Sequence, residues 1–158
     1  MTDSVNNSTG ASAASEAPVV IIGAVALGPK AACRYKRLVP SGRVLMVDRS
    51  QYISYGGCGI PYYVSGDVSD ITGLQTTSFH MVRDPEFFRE VKGVEVRPRT
   101  DAVRIDRAAH TVRLRDLETG REWDQPYAKL VIATGSTPRR LPIEGIDLAG
   151  VHCVANLG

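Results

Sequence analysis

Residues 18–48 read PVVIIGAVALGPKAACRYKRLVPSGRVLMVD. The apolar run Val19 to Ile22 breaks at Gly23 and passes without a spacer into a helical pattern, which stops at Pro40-Ser41-Gly42 before a second apolar run, Val44 to Val47. That order predicts strand, tight turn, helix, strand. The turn, Gly23-Ala24-Val25-Ala26-Leu27-Gly28, is a dinucleotide fingerprint whose first and third glycines stand and whose second is Val25. The first glycine lets the backbone turn, and the third lets helix meet strand closely. N–H groups at the start of the helix then face outward at the positive end of its dipole, where a pyrophosphate is the natural occupant. Asp48 ends the second strand, 20 positions after Gly28. A carboxylate there accepts hydrogen bonds from ribose hydroxyls, which argues for an unphosphorylated adenosine ribose.

Outward from this unit, residues 1–17, MTDSVNNSTGASAASEA, are small and polar and are expected to form a disordered tail. No basic segment followed by a long apolar stretch marks the tail as a secretory signal, and no later run approaches a membrane span, so a soluble, cytoplasmic protein is expected. Residues 18–158 suffice for one domain with one core. The net charge is +2, and the arginines are spread along the chain instead of forming a block, which disfavours nucleic acid as a partner. Cys33, Cys58 and Cys153 share no metal-ligand spacing and are odd in number, so each is read as a thiol and no metal site is expected.

In the first helix Ala31, Ala32, Tyr35, Leu38 and Val39 fall on one face and Arg34, Lys36 and Arg37 mostly on the other. The basic trio is either a solvated face or, being near the anion site, the seat of a second, phosphate-bearing ligand. Cys33 reads as a weakly polar filler. The next informative stretch is Tyr52 to Asp67, YISYGGCGIPYYVSGD. Gly56, Gly57 and Gly59 surround Cys58 and leave its backbone open to close approach. Pro61 suits the first turn of a short helix, which puts Cys58 at or just before a helix N-terminus, the surroundings that reactive thiols favour. A small buried residue in a glycine loop satisfies the same local chemistry.

Farther on, Asp84 to Val91 reads as a short helix ended by Gly93. Alternating runs around Val94, Val103 to Ile105 and Val112 to Leu114 are strands with one wet face, and turns at 108–110 and 118–120 make a meander. His80, His110 and His152 are isolated and are read as surface or core residues. Leu130 to Ala133 is a continuous apolar run of the kind buried on both sides of a parallel sheet, and Gly135 follows at its carboxyl end, where doubly wound sheets hold ligands.

Taken together, VVIIGAVALGPKAA, Asp48, SYGGCGIPYY and KLVIATGSTPRRLPIEG resemble the amino-terminal part of the single-cysteine flavoprotein disulfide reductases, a group that includes coenzyme A disulfide reductases, persulfide reductases and NADH oxidases and peroxidases. Gly57 stands where that group usually has asparagine, and Ala128 where it usually has an acid. The dithiol branch carries a second cysteine five positions on, where this chain has Tyr63, so Cys58 must cycle through a mixed disulfide, a persulfide or a sulfenic acid. The resemblance implies FAD, held by Gly23, Val25, Ala26, Gly28, Asp48, Arg49, Val103, Ala133, Thr134 and Gly135, with Val103 offering backbone bonds to adenine. It implies Cys58 as the catalytic residue, and coenzyme A as a substrate against Arg34, Lys36, Arg37 and Ser54.

The expected fold is α/β: a Rossmann-like FAD-binding domain of glutathione-reductase type, incomplete, with a parallel sheet from Val19, Val44, Val94 and Leu130 and an antiparallel meander between Val103 and Trp123. The expected activity, in a longer enzyme, is NADH- or NADPH-dependent reduction of a coenzyme A disulfide or persulfide by a form that the resemblance makes a homodimer. An NADH oxidase or peroxidase using a cysteine sulfenic acid is the alternative within the class. A nucleotide-binding module without turnover is the alternative outside it.

Overall fold

The computed structural model describes residues 17–157, so the tail expected over residues 1–17 lies almost wholly outside them. Strand β1 (Val19–Ile22) is hydrogen-bonded in parallel to β2 (Val44–Val47) on one side and to β7 (Lys129–Ile132) on the other, and β2 pairs in parallel with β3 (Glu95–Arg97). Helix α1 (Leu27–Leu38) makes the crossover between β1 and β2. The remaining elements are α2 (Ile60–Val64), α3 (Pro85–Lys92), and the strands β4 (Thr100–Asp106), β5 (Thr111–Asp116) and β6 (Glu122–Pro126), which form a separate antiparallel sheet. Among the described residues no helix is long and apolar enough to cross a membrane.

Two cores explain why β1 and β2 are apolar at every position. Val19, Ile21, Val44 and Met46 point to one face, where they meet Ala32 of α1, Phe88 of α3, Ile53 and Val94. Val20, Leu45 and Val47 point to the other, where Val112, Leu114 and Tyr127 of the meander region cover them. Successive strand residues alternate faces, so a strand buried on both must be apolar throughout. The result is three layers: helices, parallel sheet, meander.

Local signals account for the element ends. Asp84 caps α3 by accepting from the Phe87 N–H at 2.7 Å, Pro85 opens the helix, and Gly93 closes it in the left-handed conformation at φ +62°. Asp106 accepts from the Ala109 N–H, and Asp116 accepts from those of Thr119 and Glu118, which hold its carboxyl below the ordinary carboxylate range.

Three expectations change. Leu38 and Val39 are 63% and 40% exposed instead of facing the core; Gly28, Pro29 and Ala32 make the helix's buried surface, because close approach to the sheet needs small residues early in the helix. Ile132 is 60% exposed, Lys129 is exposed too, and Leu130 and Val131 are half-buried, because β7 is the edge of this sheet. In β4 the pairing shifts between Ala102 and Arg104, so Ala102 and Ile105 face the core and Val103 stands out of register. Cys153, in the apolar run Val151 to Val154, is exposed and lies in no strand or helix.

Candidate functional site at the dinucleotide turn and the cysteine loop

Gly23 follows β1 with φ +108°, and a Cβ there would fall 2.2 Å from the Ala133 carbonyl oxygen. No other residue type fits. A Cβ on Gly28 would lie 1.8 Å from the Gly23 carbonyl oxygen. These two glycines therefore draw three pieces together: the end of β1, the start of α1 and the Ala133-Thr134-Gly135 segment after β7, whose Ala133 N–H donates to Ile22 O at 2.7 Å. Ala26 precedes α1 without a side-chain cap, and no acid occupies the first turn. The first N–H groups of the helix are left to whatever binds in front of them.

Asp48 sits at the carboxyl end of β2, half-buried. One carboxylate oxygen accepts from the Ala24 N–H at 2.7 Å and the other from the Ser50 N–H at 2.8 Å. A carboxylate has about four acceptor positions, so the geometry leaves capacity for ribose hydroxyls. Arg49 is exposed and leans toward Asp101, with Nε to Oδ1 at 3.5 Å. The shift in β4 leaves Val103 out of the ladder on the meander, which joins the sheet next to Asp48 through Thr100 N–H to Asp48 O at 2.8 Å. A flavin adenine dinucleotide fits this set: a glycine cradle that any Cβ would fill, uncapped helix N–H groups, a partly satisfied carboxylate and a strand residue released from pairing.

The cysteine loop is docked onto this turn. Ser54, buried and held at φ +50°, donates its N–H to the Ala24 carbonyl at 2.7 Å. Val25 packs against the cluster of Tyr55, Ile60, Leu74 and Leu157, which gives the departure from the glycine fingerprint a packing reason. From below, the Gly56 N–H donates to Leu74 O at 2.8 Å, and the buried Gln75 side chain donates to Ile53 O at 2.9 Å. Cys58 lies on a 3-10 turn, Gly57–Gly59, that leads into α2, and it is exposed.

Ser54 also lines a cleft of about 540 Å³ with Arg34 and Arg37, so three of the four residues expected against a substrate lie together. Lys36 is not among them: its Nζ donates to the carbonyls of Pro40 and Gly42, tying down the chain as it leaves α1. Its place is taken by Lys30, one turn before Arg34, and by Arg83 and Lys92. The signal was available, since residues 30, 34 and 37 share a helix face whereas 34 and 36 do not. Lys92 lies over the Phe87 ring at 5.3 Å, and Arg83 Nε donates to Gln75 O. Lys30, Arg34, Arg37, Arg83 and Lys92 make no ion pair with an acid among the described residues, and no acid lines the cleft. Such a cleft attracts polyanions. Cys33 is half-buried and packs against the core beside Ala31 and Tyr35, as a filler would, with its remaining surface on the wall of the cleft. His80, His110 and His152 are exposed, and the described residues hold no cluster of three metal-ligating side chains.

Residues 17–157 match the family model described as pyridine nucleotide-disulphide oxidoreductase. The chain is similar to a solved NAD-dependent persulfide reductase from A. fulgidus, with 41% sequence identity and a TM-score of 0.78 over 84% of this chain and 24% of that one. It is 37% identical over 133 residues to the NAD(P)H sulfur oxidoreductase (CoA-dependent) of Pyrococcus abyssi, covering 84% of this chain and 27% of the relative. It is 25% identical over 126 residues to the coenzyme A disulfide reductase of Staphylococcus aureus, covering 80% of this chain and 27% of that enzyme. The chain thus spans about a quarter of the length of these relatives.

Proposed function

The chain belongs to the pyridine nucleotide-disulphide oxidoreductase family, and from that premise we propose that it carries the FAD-binding turn and the redox cysteine of an NAD(P)H-dependent reductase acting on a phosphate-bearing disulfide or persulfide, coenzyme A disulfide being the type. The observation that carries this proposal is the docking of the cysteine loop on the dinucleotide turn, through Ser54 N–H to Ala24 O and Val25 against Tyr55 and Ile60. A redox sulfur and a nucleotide cofactor must share one rigid frame, and the docked loop supports this reading because it carries Cys58 on the same frame as the dinucleotide turn.

Each residue then has a task. Gly23, Gly28 and the first turn of α1 receive the pyrophosphate; Asp48 accepts from the ribose; Val103 offers backbone groups to the adenine; Ala133, Thr134 and Gly135 border the nucleotide. When bound, FAD supplies two electrons to the cysteine side. Lys30, Arg34, Arg37, Arg83 and Lys92 hold substrate phosphates, with Ser54 donating from the same wall. Cys58 sulfur attacks one sulfur of R–S–S–R, the old S–S bond breaks and RS⁻ leaves, giving Cys58–S–S–R. Two electrons and one proton return the Cys58 thiolate and RSH. A cytoplasmic setting and a homodimeric full-length enzyme belong to the same proposal.

The test is to incubate the folded chain with coenzyme A disulfide near neutral pH and map the adduct by peptide mass, using a Cys153→Ser background because Cys153 is exposed too. The adduct is expected on the peptide containing Cys58 and should vanish in Cys58→Ser. An adduct that persists in Cys58→Ser overturns the assignment. Recovery of Cys58 as a sulfenic acid after peroxide treatment, with no thiol adduct under either condition, selects the oxidase or peroxidase alternative.

A further inference from the structure

Three glycines flank Cys58, at 56, 57 and 59, and they differ in what a side chain would meet. At Gly59 a Cβ would fall 2.5 Å from Leu74 Cδ2, within the cluster that anchors the loop, so a side chain there would have to push the Leu74 side chain aside. At Gly56 the backbone is extended, and a Cβ would sit 3.8 Å from the Leu74 carbonyl oxygen, an ordinary contact directed at the protein. At Gly57 a Cβ would have nothing within 4 Å, and the residue is not among the glycines with positive φ. Neither backbone nor packing demands glycine at 57. It nevertheless opens a helical turn, where glycine is the costliest ordinary residue in conformational entropy.

What Gly57 does provide is a bare flank beside an exposed sulfur. Thiolate attack on a disulfide follows the S–S axis and passes through a mixed disulfide, so groups close to the substrate sulfurs must pass the residues beside the attacking one. We propose that Gly57 is a specificity-determining residue, which admits to Cys58 disulfides that carry bulk within two bonds of the reacting sulfur as readily as linear ones. This rests on Cys58 being the reacting thiol, as proposed above.

The experiment measures second-order rates of mixed-disulfide formation at Cys58 in a Cys33→Ser, Cys153→Ser background, with bis(2-hydroxyethyl) disulfide as the linear probe and glutathione disulfide as the branched one. Gly57→Asn and Gly57→Ala should fold as the parent does, since the side chain has room. Gly57→Asn is expected to slow the branched probe by about tenfold, the size of a steric overlap in a filled site, and to leave the linear probe unchanged. Gly57→Ala should fall between, and Gly56→Ala, which points toward Leu74, should leave the ratio of the two rates at the parent value. Equal slowing of both probes by Gly57→Asn, or no slowing of either, overturns the role of Gly57 while leaving Cys58 as the redox thiol. Failure of Cys58 to react with either probe in the parent background overturns the proposed function and the specificity role together.

Discussion

Asp48 holds the dinucleotide turn, because it accepts from the buried Ala24 N–H and from Ser50, and this comes in addition to the ribose contact proposed for it. Asp48→Ala is therefore expected to do two things. It orphans a buried donor, at a cost of about 1–3 kcal/mol in folding stability, and it removes a charged acceptor from the nucleotide. The urea midpoint should fall, and flavin retained after gel filtration should fall with it; flavin retention equal to that of the parent at the same folded fraction would remove Asp48 from the nucleotide site. The acid could be found from its distance to the glycines, but its bond to Ala24 could not, since that depends on how β2 lies against β1. Val25 is the same case in apolar form. The sequence displays a departure from glycine at that position, and its reason lies in Tyr55 and Ile60, brought near only by the fold.

At the level of elements, α1 sorts its cations by the angle at which each leaves the helix. Lys30, Arg34 and Arg37 face the cleft, and Lys36 turns to the carbonyls of Pro40 and Gly42. Consecutive charges in a sequence look like one patch, whereas helical spacing divides them. Arg34→Ala and Arg37→Ala should each slow the reaction of Cys58 with coenzyme A disulfide by about threefold relative to a neutral disulfide, the scale of a partly exposed ion pair, and about 1 M salt should erase the difference between variant and parent. Lys36→Met should leave that ratio unchanged and lower the urea midpoint. A change in the ratio caused by Lys36→Met would return Lys36 to the substrate site. The meander makes a similar point about strands. Its turns were legible at 108–110 and 118–120, because turn chemistry is local. The displaced Val103 was not, because a bulge is a relation between two strands and leaves no mark in either alone.

In the whole molecule, helices and meander clamp a parallel sheet of four strands, and the ends of β1 and β2 carry the described chain's one dinucleotide turn with the cysteine loop seated on it. The strands themselves were readable because burial on both faces demands unbroken apolar runs. The place of β7 at the edge of this sheet was not, since Leu130 to Ala133 reads the same whether or not its outer side is paired. One dinucleotide turn can seat one nucleotide. A catalytic cycle that draws electrons from NADH or NADPH needs a second nucleotide within reach of the first, and the described residues offer no second glycine turn that leads from a parallel strand into a helix for it. The 158-residue chain by itself is therefore expected to take up one thiol adduct on Cys58 and then stop. Adding NADH or NADPH with excess coenzyme A disulfide should release no thiol above the buffer rate. Adding dithiothreitol, which supplies the two electrons chemically, should free Cys58 and allow a second round of labelling. Sustained thiol release driven by the nicotinamide alone would require a second nucleotide site within this chain and would defeat the assignment of a single one.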